Sequence, residues 1–276
     1  MNDILKLRDI VYKETGMYFP DEKRYYFESR FLRRMEELGF YSFTQYCQFL
    51  KSGDGRREEF QNLMNELTIN ETSFFRNRPQ FTALQNLVLP EIIKANENNT
   101  VKNLKIWSAG CSSGEEAYSI AMIIDEMCSG PLSGWNVDIR GTDISQRALE
   151  IAEDGKYSEY PVRNLPENYR NKYIEAVNGA FKVSDRLKKY VRFSHLNLSD
   201  DMAMVFMKGF DIIFCKNVLI YFDLDSKKRV VQHFFNNLVL GGRLFIGFSE
   251  SLFGVNDRFK LIHYSGGIVY CKVAHI

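Results

Sequence analysis

"IWSAGCSSGEEAYSIAMIIDEM", Ile106–Met127, is the stretch that decides how this chain folds. It opens as a short buried strand, breaks into the small residues of 108–114, and resumes as an apolar helical pattern. Strand, glycine turn and crossover helix form the opening unit of an open parallel sheet. In such sheets the ligand lies beyond the carboxyl ends of the strands, beside that first turn. Gly110 and Gly114 are spaced GxxxG rather than GxGxxG, and no Lys-Ser/Thr ending follows as in a phosphate loop. Glu115 and Glu116 start the helix. A pyrophosphate at a helix N-terminus uses the N–H donors and the positive end of the dipole, which two acids would oppose. A single acid there serves the helix dipole as readily as a ligand; the pair, beside a strand–glycine turn, favours a cationic ligand.

Outward from this unit, "LKIWSA", "WNVDIRGTD", "FDIIFC" and "GRLFIGF" read as short apolar strands, with helical patterns at 114–128, 145–153 and 225–239 between them. Alternating strand and helix gives an α/β parallel sheet. "FKLIHYSGGIVYCKVA" reads as two strands around Gly266–Gly267, an antiparallel hairpin closing the sheet. That is the Rossmann-like architecture of S-adenosylmethionine-dependent methyltransferases, an inference from fold alone. The donor they use carries both an ammonium and a sulfonium. Asp143 ends the second strand, where an acid accepts ribose hydroxyls or caps the helix starting near Ser145. It lies about thirty residues after the turn, not the roughly twenty usual for dinucleotide folds. Cys215, Lys216 and Asn217 fall at the carboxyl end of "FDIIFC". Asn217 offers a donor and an acceptor, and Tyr221 follows one helical turn later.

The chain has 276 residues, enough for a large α/β domain and a smaller one. Its formal net charge of +1 offers little phosphate attraction, so nucleic acid is not an expected partner. The five cysteines are scattered and odd in number with no CxxC pair, which argues against a disulfide framework or a metal site. No apolar signal core opens the chain and no window reaches the length of a membrane span, so a cytoplasmic protein without membrane insertion is expected. Residues 1–70 read as helices; one starts after Pro20 and stops at Gly39. "PQFTALQNLVLPEIIKAN", 79–96, reads as one longer helix with a break near Pro90. Residues 155–195 read as a small β insertion at the edge of the main domain.

"NETSFFR" (70–76), "WSAGCSSGEEAYS" (107–119), "GTDIS" (141–145), "LNL" (196–198) and "FCKNVLIYF" (214–222) together resemble the motif set of the CheR family, the chemotaxis receptor glutamate methyltransferases. The match is ordered and spans nearly the whole chain. The resemblance implies an all-α N-terminal domain at 1–75, a linker helix at 76–96, and a methyltransferase domain at 97–276 with a small β-subdomain at about 155–195. It implies methyl transfer from S-adenosylmethionine to glutamate side chains on the cytoplasmic helices of receptors, giving glutamyl methyl esters and S-adenosylhomocysteine. The cofactor contacts it implies are Asn70, Thr72, Arg76, Glu116 (with Glu115 kept possible), Asp143, Asn197, Leu198, Lys216 and Asn217. Arg76 suits the methionine carboxylate, and Tyr221 matches a tyrosine beside the transferred methyl. None of the four histidines is assigned a catalytic role.

Receptor methylation helices are acidic by the same resemblance. On the helix 21–38, Lys23, Arg30, Arg33 and Arg34 share one stripe with Tyr26, while Phe27, Phe31, Met35 and Leu38 lie opposite. That stripe is the expected substrate-docking surface. Some family members grip a receptor tail by strand addition to the β-subdomain. The short turn in "EAVNGAFKVSD" predicts docking here without such tethering, by a monomer. The competing classes are a nucleotide-cofactor oxidoreductase and a non-catalytic adaptor that keeps the fold.

Overall fold

The computed structural model describes residues 2–264 and 267–274. Four helices come first: α1 (Asn2–Thr15), α2 (Arg24–Glu37), α3 (Phe43–Ser52) and α4 (Arg56–Leu67). A short 3-10 turn, Asp21–Lys23, precedes α2. Phe27, Phe31 and Met35 of α2 pack with Leu7, Val11, Tyr46, Leu63 and Leu67 in one helical core. Leu38, expected on that buried face, is exposed beyond the end of α2.

The long helix expected at 79–96 exists in three joined pieces: α5 (Arg78–Ala83), a π-helical turn (Leu84–Val88) and α6 (Leu89–Ala95). Pro90 explains the wide turn. It has no N–H to give the preceding turn, and its ring would press on the carbonyl four residues back. Phe81, Leu84, Val88, Leu89 and Ile92 pack in the same apolar cluster as Ile106 and Ile212 of the main sheet.

The main sheet draws on β1 (Asn103–Ala109) and β2 (Asn136–Asp143), which flank the helix α7 (Glu115–Cys128); α8 (Gln146–Asp154) follows β2. A separate three-stranded antiparallel sheet, in the order β3-β5-β4, is made by β3 (Lys156–Tyr157), β4 (Ile174–Val177) and β5 (Ala180–Val183). The remaining strands are β6 (Val191–His195), β7 (Phe210–Cys215), β8 (Leu238–Ile246), β9 (Phe259–Tyr264) and β10 (Gly267–Lys272). The seven-stranded order is β6-β2-β1-β7-β8-β10-β9. Pairing is parallel from β6 to β8, and β10 runs antiparallel between β8 and β9. The hairpin is therefore present, with Gly266 at its turn outside the described residues.

Both faces of this sheet are covered, so its strands read as continuous apolar runs instead of alternating ones. Ile106, Ile212 and Phe214 face the cluster built with α7, and Trp107, Ile213 and Cys215 face the one built with the helix Leu224–Asn237. One expectation needs correction. Residues 191–195, read as part of the small insertion, form β6 and pair in parallel with β2 from Ile139↔Val191 to Asp143↔His195. An edge strand with only Val191 buried carries no apolar run to announce it.

Candidate active site

The turn between β1 and α7 owes its shape to backbone conformations that few residues adopt. Gly110 and Gly114 have φ of +73° and +90°, and Ser112 has φ of 50°. A Cβ on Gly110 would lie 2.4 Å from Val218 Cγ2, and one on Gly114 2.8 Å from Ala152 Cβ. Ser112 in the left-handed region aims its N–H at Asp143 Oδ2, 2.8 Å away, while Ser145 N–H donates to Oδ1 at 2.9 Å. The capping role considered for Asp143 belongs to Ser145, whose hydroxyl accepts from Ala148 N–H. Asp143 instead braces the turn and lines the pocket with its carboxylate. Burial pushes its carboxyl above the ordinary value, against the backbone N–H groups that favour the anion.

The two glutamates separate. Glu115 is buried behind the turn, where both its oxygens take the Ser113 hydroxyl, and burial pushes its carboxyl up to about 7. Glu116 faces the cleft. Its Oε1 accepts from Ser108 Oγ at 2.7 Å, and its Oε2 lies 3.1 Å from Lys216 Nζ. Lys216 also donates to the Arg76 carbonyl at 2.9 Å and sits 4.6 Å from the centre of the Phe81 ring. Glu116 is thus already paired, a partnership invisible in the sequence because it and Lys216 are far apart along the chain.

"NETSFFR" folds over the cleft as a polar strip anchored by its aromatics. Phe74 and Phe75 are buried in the sheet-domain core. Asn70 Nδ2 donates to Ser145 Oγ at 3.3 Å, and its carbonyl accepts from Ser112 Oγ at 3.0 Å. The Arg76 guanidinium donates from Nη1 to the Glu71 carbonyl at 2.7 Å. On the opposite side stand Asn217, with φ of 60°, and Tyr221, at the end of the 3-10 turn Leu219–Tyr221. The Asn197 amide donates to the Glu14 carbonyl, and its oxygen accepts from Ser199 N–H at 3.0 Å.

One pocket enclosing about 270 Å³ is lined by Asn70, Thr72, Arg76, Glu116, Asp143, Asn197, Leu198, Lys216, Asn217 and Tyr221 alike. Every cofactor contact expected from the motifs meets there, as does Tyr221; Glu115 does not line it. Burial raises the Tyr221 phenol above its ordinary value, and among the described residues no hydrogen bond holds its hydroxyl. Among the lining residues not anticipated are Thr15 and Met17 of the N-terminal unit. Met17 forms a backbone bridge with Phe222, and Tyr18 N–H donates to the Tyr221 carbonyl at 2.8 Å. Nothing in "TGMYF" announces this pairing locally.

The docking stripe is corrected in part. The guanidinium of Arg34 grips buried Glu59 through Nε, at 3.1 Å from Oε1, and through Nη2, and reaches Glu37 as well. It is a structural residue of the helical core, since Glu59 would otherwise be a lone buried charge. Arg33 pairs with Glu66 at 3.0 Å but stays half exposed, and the Arg30 guanidinium lies 4.9 Å from the centre of the Tyr26 ring. Lys23 is exposed with no acid partner among the described residues.

The charged groups lining the pocket are Glu71, Glu116 and Asp143 against Arg76 and Lys216. Three acids and two cations suit a ligand with one carboxylate, one ammonium and one sulfonium, and disfavour a pyrophosphate. A parallel sheet with one antiparallel strand near its edge and such a pocket at its carboxyl ends defines an S-adenosylmethionine-dependent methyltransferase. The family model described as "CheR methyltransferase, SAM binding domain" matches residues 70–268, and the one described as "CheR methyltransferase, all-alpha domain" matches residues 2–68. "Chemotaxis protein methyltransferase 2" of Vibrio cholerae is 35% identical over 271 residues, covering 98% of this chain and 92% of the relative. "Chemotaxis protein methyltransferase" of Borreliella burgdorferi is 37% identical over 254 residues, covering 92% and 89%. "Chemotaxis protein methyltransferase 1" of Pseudomonas aeruginosa is 35% identical, covering 97% of each. This chain belongs to the CheR methyltransferase family. These matches do not favour an oxidoreductase or an adaptor without activity.

Proposed function

We propose that this enzyme methylates glutamate carboxylates on the cytoplasmic helices of chemotaxis receptors, as a monomer in the cytoplasm. The observation that supports this best is the half-buried Tyr221 hydroxyl, without a hydrogen-bond partner among the described residues, at a pocket whose other walls carry the groups a methionine-derived donor needs. Arg76 takes the methionine carboxylate, Glu116 the ammonium, and Asp143 the ribose. Asn197 and Leu198 flank the adenine, with Asn70, Thr72, Lys216 and Asn217 completing the lining. The helical unit at 1–75, the helix at 76–96 and the remainder to 276 act together in this reading, with the β-subdomain as an accessory.

When bound, the donor supplies an activated methyl on sulfur. The chain's own work is to place a carboxylate in line with it. A glutamate's ordinary pKa lies well below neutral, so its carboxylate is already ionised there and no general base is required. One C–O bond forms as one C–S bond breaks, and carboxylate and sulfonium become ester and thioether. Because charge is lost on the way, a drier site helps. Positioning of this kind supplies roughly 7–11 kcal/mol. Tyr221 orients the incoming carboxylate by donating its hydroxyl hydrogen. Lys23, Arg30 and Arg33 meet the acidic substrate surface, and no receptor-tail tether is used.

Tritiated methyl transfer to receptor-containing membranes tests this reading. Base-labile label on the receptor is expected, with kcat lowered about tenfold or more in Tyr221→Phe and adenosylhomocysteine affinity unchanged. Added receptor-tail peptide should leave the rate unaltered. Base-stable label would remove the glutamyl ester, full turnover by Tyr221→Phe would remove the tyrosine's role, and strong inhibition by the tail peptide would restore tethering.

A further inference from the structure

The loop after β8 turns back on the pocket through one carboxylate. Glu250 Oε2 accepts from Asn217 N–H at 3.0 Å and from Gly247 N–H, and its Oε1 accepts from Ile220 N–H at 3.2 Å. All three donors are backbone groups at the carboxyl ends of β7 and β8. Asn217 is in the left-handed region, which a non-glycine residue enters at a cost unless its surroundings fix it. Ile220 is the residue before Tyr221, inside the same 3-10 turn. Gly247 leaves the space the carboxylate needs, since a Cβ there would lie 2.6 Å from Glu250 Oε2 and 3.0 Å from Asn217 N. Glu250 does not line the pocket, yet two residues whose amides flank it, Asn217 and Ile220, do. A carboxylate binding three backbone donors is a stronger clasp than neutral acceptors would give.

We propose that Glu250 is a positioning residue for methyl transfer: its carboxylate holds the strained Asn217 backbone and the Leu219–Tyr221 turn so that both side chains face the bound donor. The proposal rests on the role given above to Tyr221 for one of its two routes; the route through Asn217 stands apart from it. Glu250→Gln has the same shape but replaces one acceptor oxygen with an NH₂ group, so whichever way the amide turns, either the Ile220 N–H or the Gly247 and Asn217 N–H groups lose their acceptor. Glu250→Ala removes the clasp altogether.

Steady-state kinetics with receptor membranes and thermal melting of Glu250→Gln, Glu250→Ala, Tyr221→Phe and the double variant Tyr221→Phe/Glu250→Gln test this. Expected are a kcat loss of about tenfold in Glu250→Gln and more in Glu250→Ala. Receptor KM should change less than about twofold and the Glu250→Gln melting temperature should stay that of the parent. The double variant should be about as slow as its slower single parent, because both changes strike one turn. Full kcat in Glu250→Ala, or kcat falling only in step with melting temperature, would overturn the proposal. A fast Tyr221→Phe enzyme beside a slow Glu250→Gln enzyme would remove the tyrosine's role and leave Glu250 acting through Asn217.

Discussion

Glu115 and Glu116 are neighbours in sequence and opposites in chemistry. One helical step turns Glu116 to the cleft and Lys216, and Glu115 inward to Ser113. The buried one titrates near pH 7 when folded, against an ordinary value of 4.5. The native fold therefore holds the Glu115 proton more tightly than the unfolded chain does. Its contribution to stability is complete below pH about 4.5 and disappears as pH rises through about 7, a swing of about 3 kcal/mol. Chemical denaturation between pH 5 and 8 should show the parent losing stability relative to Glu115→Gln as pH rises; parallel profiles would refute the assignment. The sequence carried the pocket's membership well at this scale, because "NETSFFR" and "FCKNVLIYF" each bring several lining residues at once. It favoured Glu116 only through the family resemblance and kept Glu115 possible, since local spacing cannot separate them: the difference depends on Ser113 and Lys216, whose positions are set by the turn and by β7. Nor could it show that Glu116 is paired before any ligand arrives.

At the level of elements, α2 commits Arg34 to the helical core and leaves Arg33, like Lys23 at its N-cap, exposed. Arg34→Ala should cost about 3 kcal/mol by stranding buried Glu59. Lys23→Glu combined with Arg33→Glu should raise receptor KM severalfold while melting and adenosylhomocysteine affinity stay those of the parent. Denaturation curves and initial rates separate the two outcomes, and a destabilised Lys23/Arg33 variant would return those residues to a structural role. Helical spacing placed Arg34 on the outward stripe, but its long side chain reaches around to α4, so position on a wheel did not settle where its charge ends. Strands buried on both faces were legible from their apolar runs. β6 was not, because an edge strand covered on little of its surface has no such run, and its lysine-rich approach reads as a surface loop. The π turn before Pro90 was legible only as a break. A proline tells where a helix must adjust, while the packing of Leu84, Val88 and Ile92 against the sheet decides that it widens and does not end.

Across the whole molecule, the helical unit and the sheet unit share one pocket. Thr15 and Met17 wall it from one side, and the bonds of Asn197 to Glu14, Ser199 to Thr15 and Tyr12 to Asp223 stitch the units around it. Adenosylhomocysteine at one hundred times its dissociation constant should add about 2.7 kcal/mol to the native state. Scanning calorimetry should show this as an upward shift of a single transition; a helical unit melting separately at an unshifted temperature would contradict the shared wall. The Met17–Phe222 bridge carries one further consequence. Its neighbours Tyr18 and Tyr221 are joined backbone to backbone, so the seam between the units runs through the Leu219–Tyr221 turn that walls the pocket. A scissoring of the two lobes would have to break that seam and shift Tyr221. The two lobes and the pocket wall are therefore mechanically coupled: neither can swing without disturbing the other.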